Sequence, residues 1–345
     1  MSKKVTGFIR VVLIFGLTGV LLYLSLNSLQ VEEGQTRWGF IADVWNNANK
    51  PYLLLSAIVT VLSHWFRSER WKQLSEPLGY KLKSTHSFFS VMIGYFVNLA
   101  IPRGGEISRS YNIYKLSGMP LDQSFGTVVA ERVIDLFFLL TLITISFFIE
   151  LDQLLYFFSQ LPLGESGETN SISIWLVVLV VVLPLLGLLA IWIFRRMFRI
   201  RFIRFYSKIR QLLVGLKKGM TVVFKVENKP LFIFRSLGIW VSYFLMSYFI
   251  ILAFPETNHL TLLDSLTIFV IGGIAMAIPL PGGTGSYHVL VPLGLVLLYN
   301  IQQKEAIAFS FIFHGWQTLL IILLGSLSFL GSQYYIRKRK NELKG

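Results

Sequence analysis

Apolar stretches too long for a soluble core decide what this chain can be. Residues 174–194 carry no charged side chain, and residues 231–254 carry only Arg235. A helix needs roughly 20 such residues to cross bilayer hydrocarbon, where every backbone polar group must be satisfied inside the segment. By that measure the chain holds about six full spans, at 7–29, 51–66, 124–149, 174–194, 231–254 and 306–333, the second short at its apolar core and open to extension as far as Trp71. Two more apolar stretches, 88–101 and 262–278, run straight into Pro and Gly. Each is short enough to enter the membrane and turn back. The expected fold class is therefore an all-α polytopic membrane protein with two re-entrant helical hairpins. With 54% hydrophobic residues, 14% charged residues and a mean hydropathy of +0.62, the chain has more apolar surface than a soluble domain buries.

The net charge is +14, and the basic residues flank the apolar stretches. That placement marks cytoplasmic loops rather than a nucleic-acid surface. Lys3, Lys4 and Arg10 put the N-terminus inside. Arg67, Arg70, Lys72, Lys81 and Lys83 are read as an inner loop after the second span, and Arg337, Lys338, Arg339, Lys340 and Lys344 as an inner tail. Glu150, Asp152, Glu165 and Glu168 lie in a loop without Lys or Arg, while Glu32, Glu33 and Asp43 outnumber Arg37 and Lys50. Those loops face outside. The first apolar stretch is too long for a signal peptide and lacks a small-residue cleavage site, so it stays as a span. The localisation expected is the cytoplasmic (inner) membrane, multi-pass, with both termini inside. The chain has no cysteine, which removes disulfides, thiol nucleophiles and thiolate metal sites. No cofactor is expected.

Following charge around this topology sends the first hairpin in from the cytoplasm and the second in from outside. The resulting division is 1–50, a first helix and external loop; 51–172, repeat 1; 173–230, a span and basic connector; 231–333, repeat 2; and 334–345, the basic tail. The two repeats have inverted topology, with hairpin tips meeting near the midplane. The connector at 195–229 alternates basic and apolar residues. It reads either as a topology anchor or as an amphipathic helix that gathers anionic lipid headgroups, at about 1 kcal/mol per basic residue.

The hairpin tips carry the candidate site. In the first half, Pro102 and Gly104-Gly105 interrupt the apolar run and bring Arg103, Glu106 and Arg109. Arginine offers paired donors to phosphate oxygens, and a half-helix starting near Glu106 would add free N–H groups. Glu131, Arg132 and Asp135 sit inside an otherwise apolar span, Glu131 and Asp135 sharing a helix face. At roughly 2.5–3.5 kcal/mol each on insertion scales, they must face protein or water. Their expected partners are Arg103 and Arg109, as substrate site or as structural ion-pair network. In the second half the counterpart is Pro281-Gly282-Gly283-Thr284-Gly285, followed by His288 and, in the last span, His314. Each His is read either as a headgroup or proton ligand or as a plain interhelical hydrogen bond. The Gly-rich run lacks the Gly-Lys-Ser/Thr ending of a phosphate-binding P-loop.

Nothing here resembles a metal motif or a nucleophile elbow. Ser108-Arg109-Ser110 is similar to the Ser-Arg-Ser run of undecaprenyl-diphosphate phosphatases, but that enzyme's glutamate pair followed by a Ser-rich segment and His is missing. The ordered set Pro102-Arg103-Gly104-Gly105-Glu106 with Arg109, Glu131-Arg132 with Asp135, and Pro281-Gly282-Gly283-Thr284-Gly285 resembles the membrane region of lysylphosphatidylglycerol synthases and its stand-alone relatives. The resemblance covers residues 53–330. In two-domain members that region resembles a flippase for aminoacylated phosphatidylglycerol fed by an aminoacyl-transferase domain. This chain is expected to be a stand-alone member without that domain, so the lysyl substrate does not carry over. The implied function is translocation of an anionic or phosphate-containing lipid (phospholipid, glycolipid or polyprenyl-phosphate lipid) rather than covalent chemistry. The alternatives are a membrane-embedded lipid-phosphate hydrolase and a non-catalytic envelope-assembly subunit. A homo-oligomer stays open.

Overall fold

The computed structural model describes residues 3–149, 151, 221–278 and 280–342. They fall in the first of the chain's two compact units, 1–159 with 216–345; the second, 160–215, lies outside the described residues, as do the expected span at 174–194 and most of the basic connector. Every described element is a helix. In order they are α1 (Lys3–Asn27), α2 (Arg37–Asn47), α3 (Lys50–Ser75), α4 (Ser84–Ala100), α5 (Gly105–Ser117), α6 (Leu121–Ile149), α7 (Lys229–Ala253), α8 (Leu262–Ala277), α9 (Ser286–Tyr299) and α10 (Gln303–Glu342), with short 3-10 turns after α3, before α7 and before α9.

Local chemistry sets the boundaries. Thr36 caps α2 by accepting the Gly39 N–H at 3.0 Å, and Asn228 caps α7 by accepting that of Leu231 at 3.0 Å. Thr261 and Asp264 cap α8 reciprocally, each side chain taking the other's backbone N–H. Pro51 and Pro230 occupy first turns, where no N–H partner is lost. Pro102 ends α4, because the residue before a proline leaves the helical region. α5 ends at Gly118, with φ +76°, in the left-handed conformation common after helices.

Three described helices are long and apolar enough to cross a membrane: Leu121–Ile149, Lys229–Ala253 and Gln303–Arg339. They match the stretches expected at 124–149, 231–254 and 306–333. The 7–29 stretch falls on α1 and the 51–66 stretch on α3. One reading of charge needs correction. Arg67, Arg70 and Lys72 are not in a loop but in the last turns of α3, which continues to Ser75. A helix can run on past its apolar stretch when its charges find partners, and Arg67, Arg70 and Lys72 in the last turns of α3 all do so here. The helix expected to start near Glu106 is α5, which opens on Gly105 as the second limb of a helical hairpin with α4.

α3 and α7 pack along each other at the centre. The α4–α5 hairpin packs against α3, α6 and α10, and the α8–α9 hairpin against α6, α7 and α10. Trp71, Leu82, Val91, Ile113 and Val128 form a buried apolar cluster joining α3, α4, α5 and α6. The limbs of the first hairpin touch at Gly94 and Gly105, where a Cβ on Gly105 would collide with the Gly94 carbonyl. The Gly105 N–H donates to Asn98 Oδ1 at 2.7 Å, tying the turn to α4. The tip of the second hairpin reaches the first: a Cβ on Gly282 would lie 3.1 Å from Leu99 Cδ2.

Candidate functional site

Where α3, α5 and α6 meet, three arginines and two carboxylates are buried together. Arg70 is fully buried, with Nη2 2.6 Å from Asp135 Oδ1 and 3.3 Å from Glu131 Oε1, and Nη1 donating to Ser236 Oγ of α7 at 3.4 Å. Arg67 sets Nη2 2.8 Å from Asp135 Oδ2 and donates from Nε to the Tyr243 hydroxyl at 3.2 Å. Tyr243 in turn bonds the Tyr95 hydroxyl at 2.9 Å. Arg109 places Nη2 2.6 Å from Glu131 Oε2, and its guanidinium lies 3.8 Å from the centre of the Trp71 ring. The Trp71 indole N–H donates to Thr127 Oγ1 at 2.8 Å, which fixes the ring beneath that cation.

The carboxylates are held by helix periodicity, since Glu131 and Asp135 lie four apart on the inward face of α6. Taking such charges out of water costs several kcal/mol per ion, offset only where pairing is close. The pairing here is close but uneven. Arg67, Arg70 and Arg109 face Glu131 and Asp135, leaving an excess positive charge among buried groups. Arg67 Nη1 and Arg109 Nε are buried without a hydrogen-bond partner. Both arginines line a narrow, partly open cleft that Tyr95, Asn98, Glu106 and Arg132 also line. At its edge Arg132 Nη2 and Glu106 Oε1 pair at 2.8 Å, with the Arg132 side chain 42% exposed. Excess positive charge, free guanidinium donors and a cleft are what an oxyanion requires.

The sequence therefore placed the acids correctly and one of their three partners. Arg109 pairs with Glu131 as expected. Arg103 does not join the cluster: it sits exposed in the turn with φ +63° and makes no ion pair among the described residues. Gly104 shapes the same turn, and Gly105 opens α5. The residues that take the place assigned to Arg103 are Arg67 and Arg70. Their signal was in the sequence as a polar series at helical spacing, Ser56, Thr60, Ser63, Arg67 and Arg70, opposite Leu55, Ile58 and Leu62.

The second-half residues form a separate cluster. Gly282 and Gly283 adopt φ of +57° and +73°, and Gly285 φ +97°, between Pro281 and the start of α9. Thr284 closes the turn, its N–H donating to the Pro281 carbonyl at 2.9 Å. His314 Nε2 lies 2.9 Å from the Gly282 carbonyl, and His288 Nδ1 accepts the Gly285 N–H at 3.4 Å. The two imidazole rings are 4.8 Å apart. Ser25 of α1 donates to the His288 carbonyl at 2.8 Å, so α1 braces this hairpin. These histidines hold the turn's backbone and do not reach the arginine cleft.

Ionisable groups buried among long apolar helices define a multi-pass membrane protein with a charged internal site. Residues 7–325 match the family described as the lysylphosphatidylglycerol synthase TM region, and the chain belongs to that family. Among similar proteins, a UPF0104 membrane protein of Methanocaldococcus jannaschii is 37% identical over 114 residues, 32% of this chain and 34% of that protein. Glycosyltransferase AglD of Haloferax volcanii is 24% identical over 347 residues, covering 93% of this chain and 54% of that protein. A UPF0104 membrane protein of Methanothermobacter thermautotrophicus is 25% identical over 272 residues, 72% of this chain and 76% of that relative. The matches to the first two thus cover a third and about half of their lengths. No solved structure matches.

Proposed function

We propose that this protein moves an anionic or phosphate-containing lipid across the cytoplasmic membrane without changing it covalently. The observation that carries the reading is the arginine cleft, with excess positive charge, two free guanidinium donors and an open side. A lipid phosphate would bind Arg67 and Arg109, while Glu131 and Asp135 hold those arginines in place. Both termini lie inside, and the basic connector and tail meet anionic headgroups there. Exchanging α3 with α7, α4 with α8, α5 with α9 and α6 with α10 maps the packed pair α4–α10 onto α8–α6, and the pair α4–α5 onto α8–α9. That pattern supports two repeats of inverted topology whose hairpin tips meet at the midplane, one rocking against the other to alternate access. Family membership supports lipid handling, and the relative named as a glycosyltransferase keeps sugar-bearing headgroups among the candidates.

The test uses purified protein in liposomes containing headgroup-labelled phosphatidylglycerol. Transfer of label between leaflets with the lipid chemically intact supports the proposal, and Arg109→Ala should slow it by about tenfold or more, the equivalent of losing one charged hydrogen bond. Release of phosphate without transfer would identify a hydrolase instead. Neither transfer nor release, across phospholipid and polyprenyl-phosphate substrates, would sink the transport reading.

A further inference from the structure

α3 is built inside out. Its outward residues Leu54, Leu55, Ile58, Val61, Leu62 and Trp65 are all at least 39% exposed. Its buried face carries Ser56, Thr60, Ser63, His64, Arg67 and Arg70. At 1.5 Å per residue that polar seam runs ~21 Å, most of the ~30 Å of bilayer hydrocarbon. The hydroxyls are partly satisfied within the helix: Ser56 Oγ donates to the Leu53 carbonyl at 2.7 Å, and Ser63 Oγ to that of Thr60 at 2.7 Å. Across the seam, α10 adds more polar groups. The Trp316 indole N–H donates to Ser56 Oγ at 3.0 Å, and Thr60 Oγ1 lies 3.3 Å from Gln317 Oε1.

Structural hydrogen bonding accounts for those contacts but not for two others. His64 is 4% exposed, and its Nδ1 has no partner; Gln317 Nε2 is also buried without one. Each orphan costs about 1–3 kcal/mol that an apolar side chain would avoid. The His64 ring lies tilted at 48° against that of Tyr95, ring centres 4.6 Å apart, and Tyr95 lines the arginine cleft. His64 also sits one turn from Arg67 on the same face of α3. The orphaned imidazole therefore sits one helical turn from an arginine of the charged cleft, and Gln317 meets α3 a further turn along, at Thr60. Polar groups in spanning helices that face the bundle interior mark substrate paths.

We infer that the inward face of α3 is the track along which the headgroup crosses, with an uncharged station at Thr60, His64 and Gln317. This rests on the lipid-translocation reading and extends it. The station's groups are neutral donors and acceptors, the chemistry that recognises hydroxyls. The ligand class is a phosphodiester headgroup bearing hydroxyls, a glycerol or a sugar, whose phosphate engages Arg67 and Arg109 before its hydroxyls take the free His64 nitrogen and Gln317 amide. Movement of the Tyr95 ring joins the cleft to the station.

The chain has no native cysteine, so single cysteines report water access cleanly. In reconstituted vesicles, Ser56→Cys, Thr60→Cys and Ser63→Cys should react with a membrane-impermeant thiosulfonate, and Ile58→Cys and Leu62→Cys should not. Folded protein in which none of the three reacts overturns the track. His64→Leu with Gln317→Leu should slow transfer of phosphatidylglycerol by about tenfold while changing that of phosphatidic acid, which lacks the extra hydroxyls, by less than about twofold. Equal slowing of both lipids, or of neither, overturns the hydroxyl station. If the unmodified protein transfers no lipid, the translocation reading fails, and the thiol pattern alone still decides whether α3 carries a hydrated path.

Discussion

At the level of single residues, the ion-pair network separates groups that hold the fold from groups free to act. Arg70 is fully enclosed and pairs with both carboxylates. Arg70→Met removes that cation and leaves Asp135 and Glu131 short of a partner in a dry site. The expected cost is about 3–5 kcal/mol, visible as a lower unfolding midpoint in detergent and loss of monodisperse protein. Arg132→Gln should behave differently, because its half-exposed pair with Glu106 is worth about 0–1 kcal/mol. Its folded yield should match that of the native protein in the same measurement. Arg109→Lys tests geometry rather than charge. Lysine keeps the cation but loses the planar guanidinium that meets Glu131 through one nitrogen and lies over the Trp71 ring. Binding of phosphatidylglycerol, followed by Trp71 fluorescence, should weaken while the melting midpoint stays near the native value. The acids of this network were readable from sequence because charge inside an apolar run has no other explanation than a buried partner. The signal of Arg67 and Arg70, the polar series on α3, was masked, because a basic run at the end of an apolar stretch satisfies the positive-inside rule without any partner.

At the level of elements, the hairpins were legible because Pro and paired Gly leave few alternatives to a turn. Their second limbs were less so. α5 opens on Gly105 and carries Glu106, Arg109 and Lys115, so its composition matches a loop, and only its packing on α4 through Gly94 and Gly105 makes it a helix of the bundle. That dependence can be measured. Gly105→Ala puts a methyl group into the Gly94 carbonyl, an overpacking that costs typically 1–3 kcal/mol where backbone must shift. Limited proteolysis should then cut between 101 and 118 faster than in the native protein. Gly94→Ala is a milder case, since its added Cβ would meet the Gly105 carbonyl oxygen at 3.1 Å. The order of protease sensitivity should therefore be Gly105→Ala, then Gly94→Ala, then native. α3 shows the same lesson from the other side. Its apolar part was read as a span, but the polar residues on its inner face carry the period that continues the helix to Ser75.

For the whole molecule, the question is whether the two halves work as one site. Among the described residues they share no ionic contact between the arginine cleft and the imidazole pair, and the link between them runs through the hairpin tips and through α3 and α10. Leu99 and Gly282 mark the tip contact, where an added Cβ on Gly282 would lie 3.9 Å from the Leu99 Cα. One C–C bond further, the two Cα atoms lie at most about 5.4 Å apart, compatible with a disulfide, which needs about 4.4–6.8 Å. Leu99→Cys with Gly282→Cys in this cysteine-free chain should crosslink under mild oxidant, seen as a mobility shift that dithiothreitol reverses. Gly282 has φ +57°, so the cysteine there carries about 1–2 kcal/mol of backbone strain and the single Gly282→Cys variant is the control. If transport needs one repeat to rock against the other, oxidation of the double variant stops lipid transfer and reduction restores it, while the single variant is indifferent to both. Transfer that continues at the native rate through a fully formed crosslink would mean that the tips stay together throughout the cycle. The headgroup would then move past a fixed junction along α3 rather than through an opening between halves.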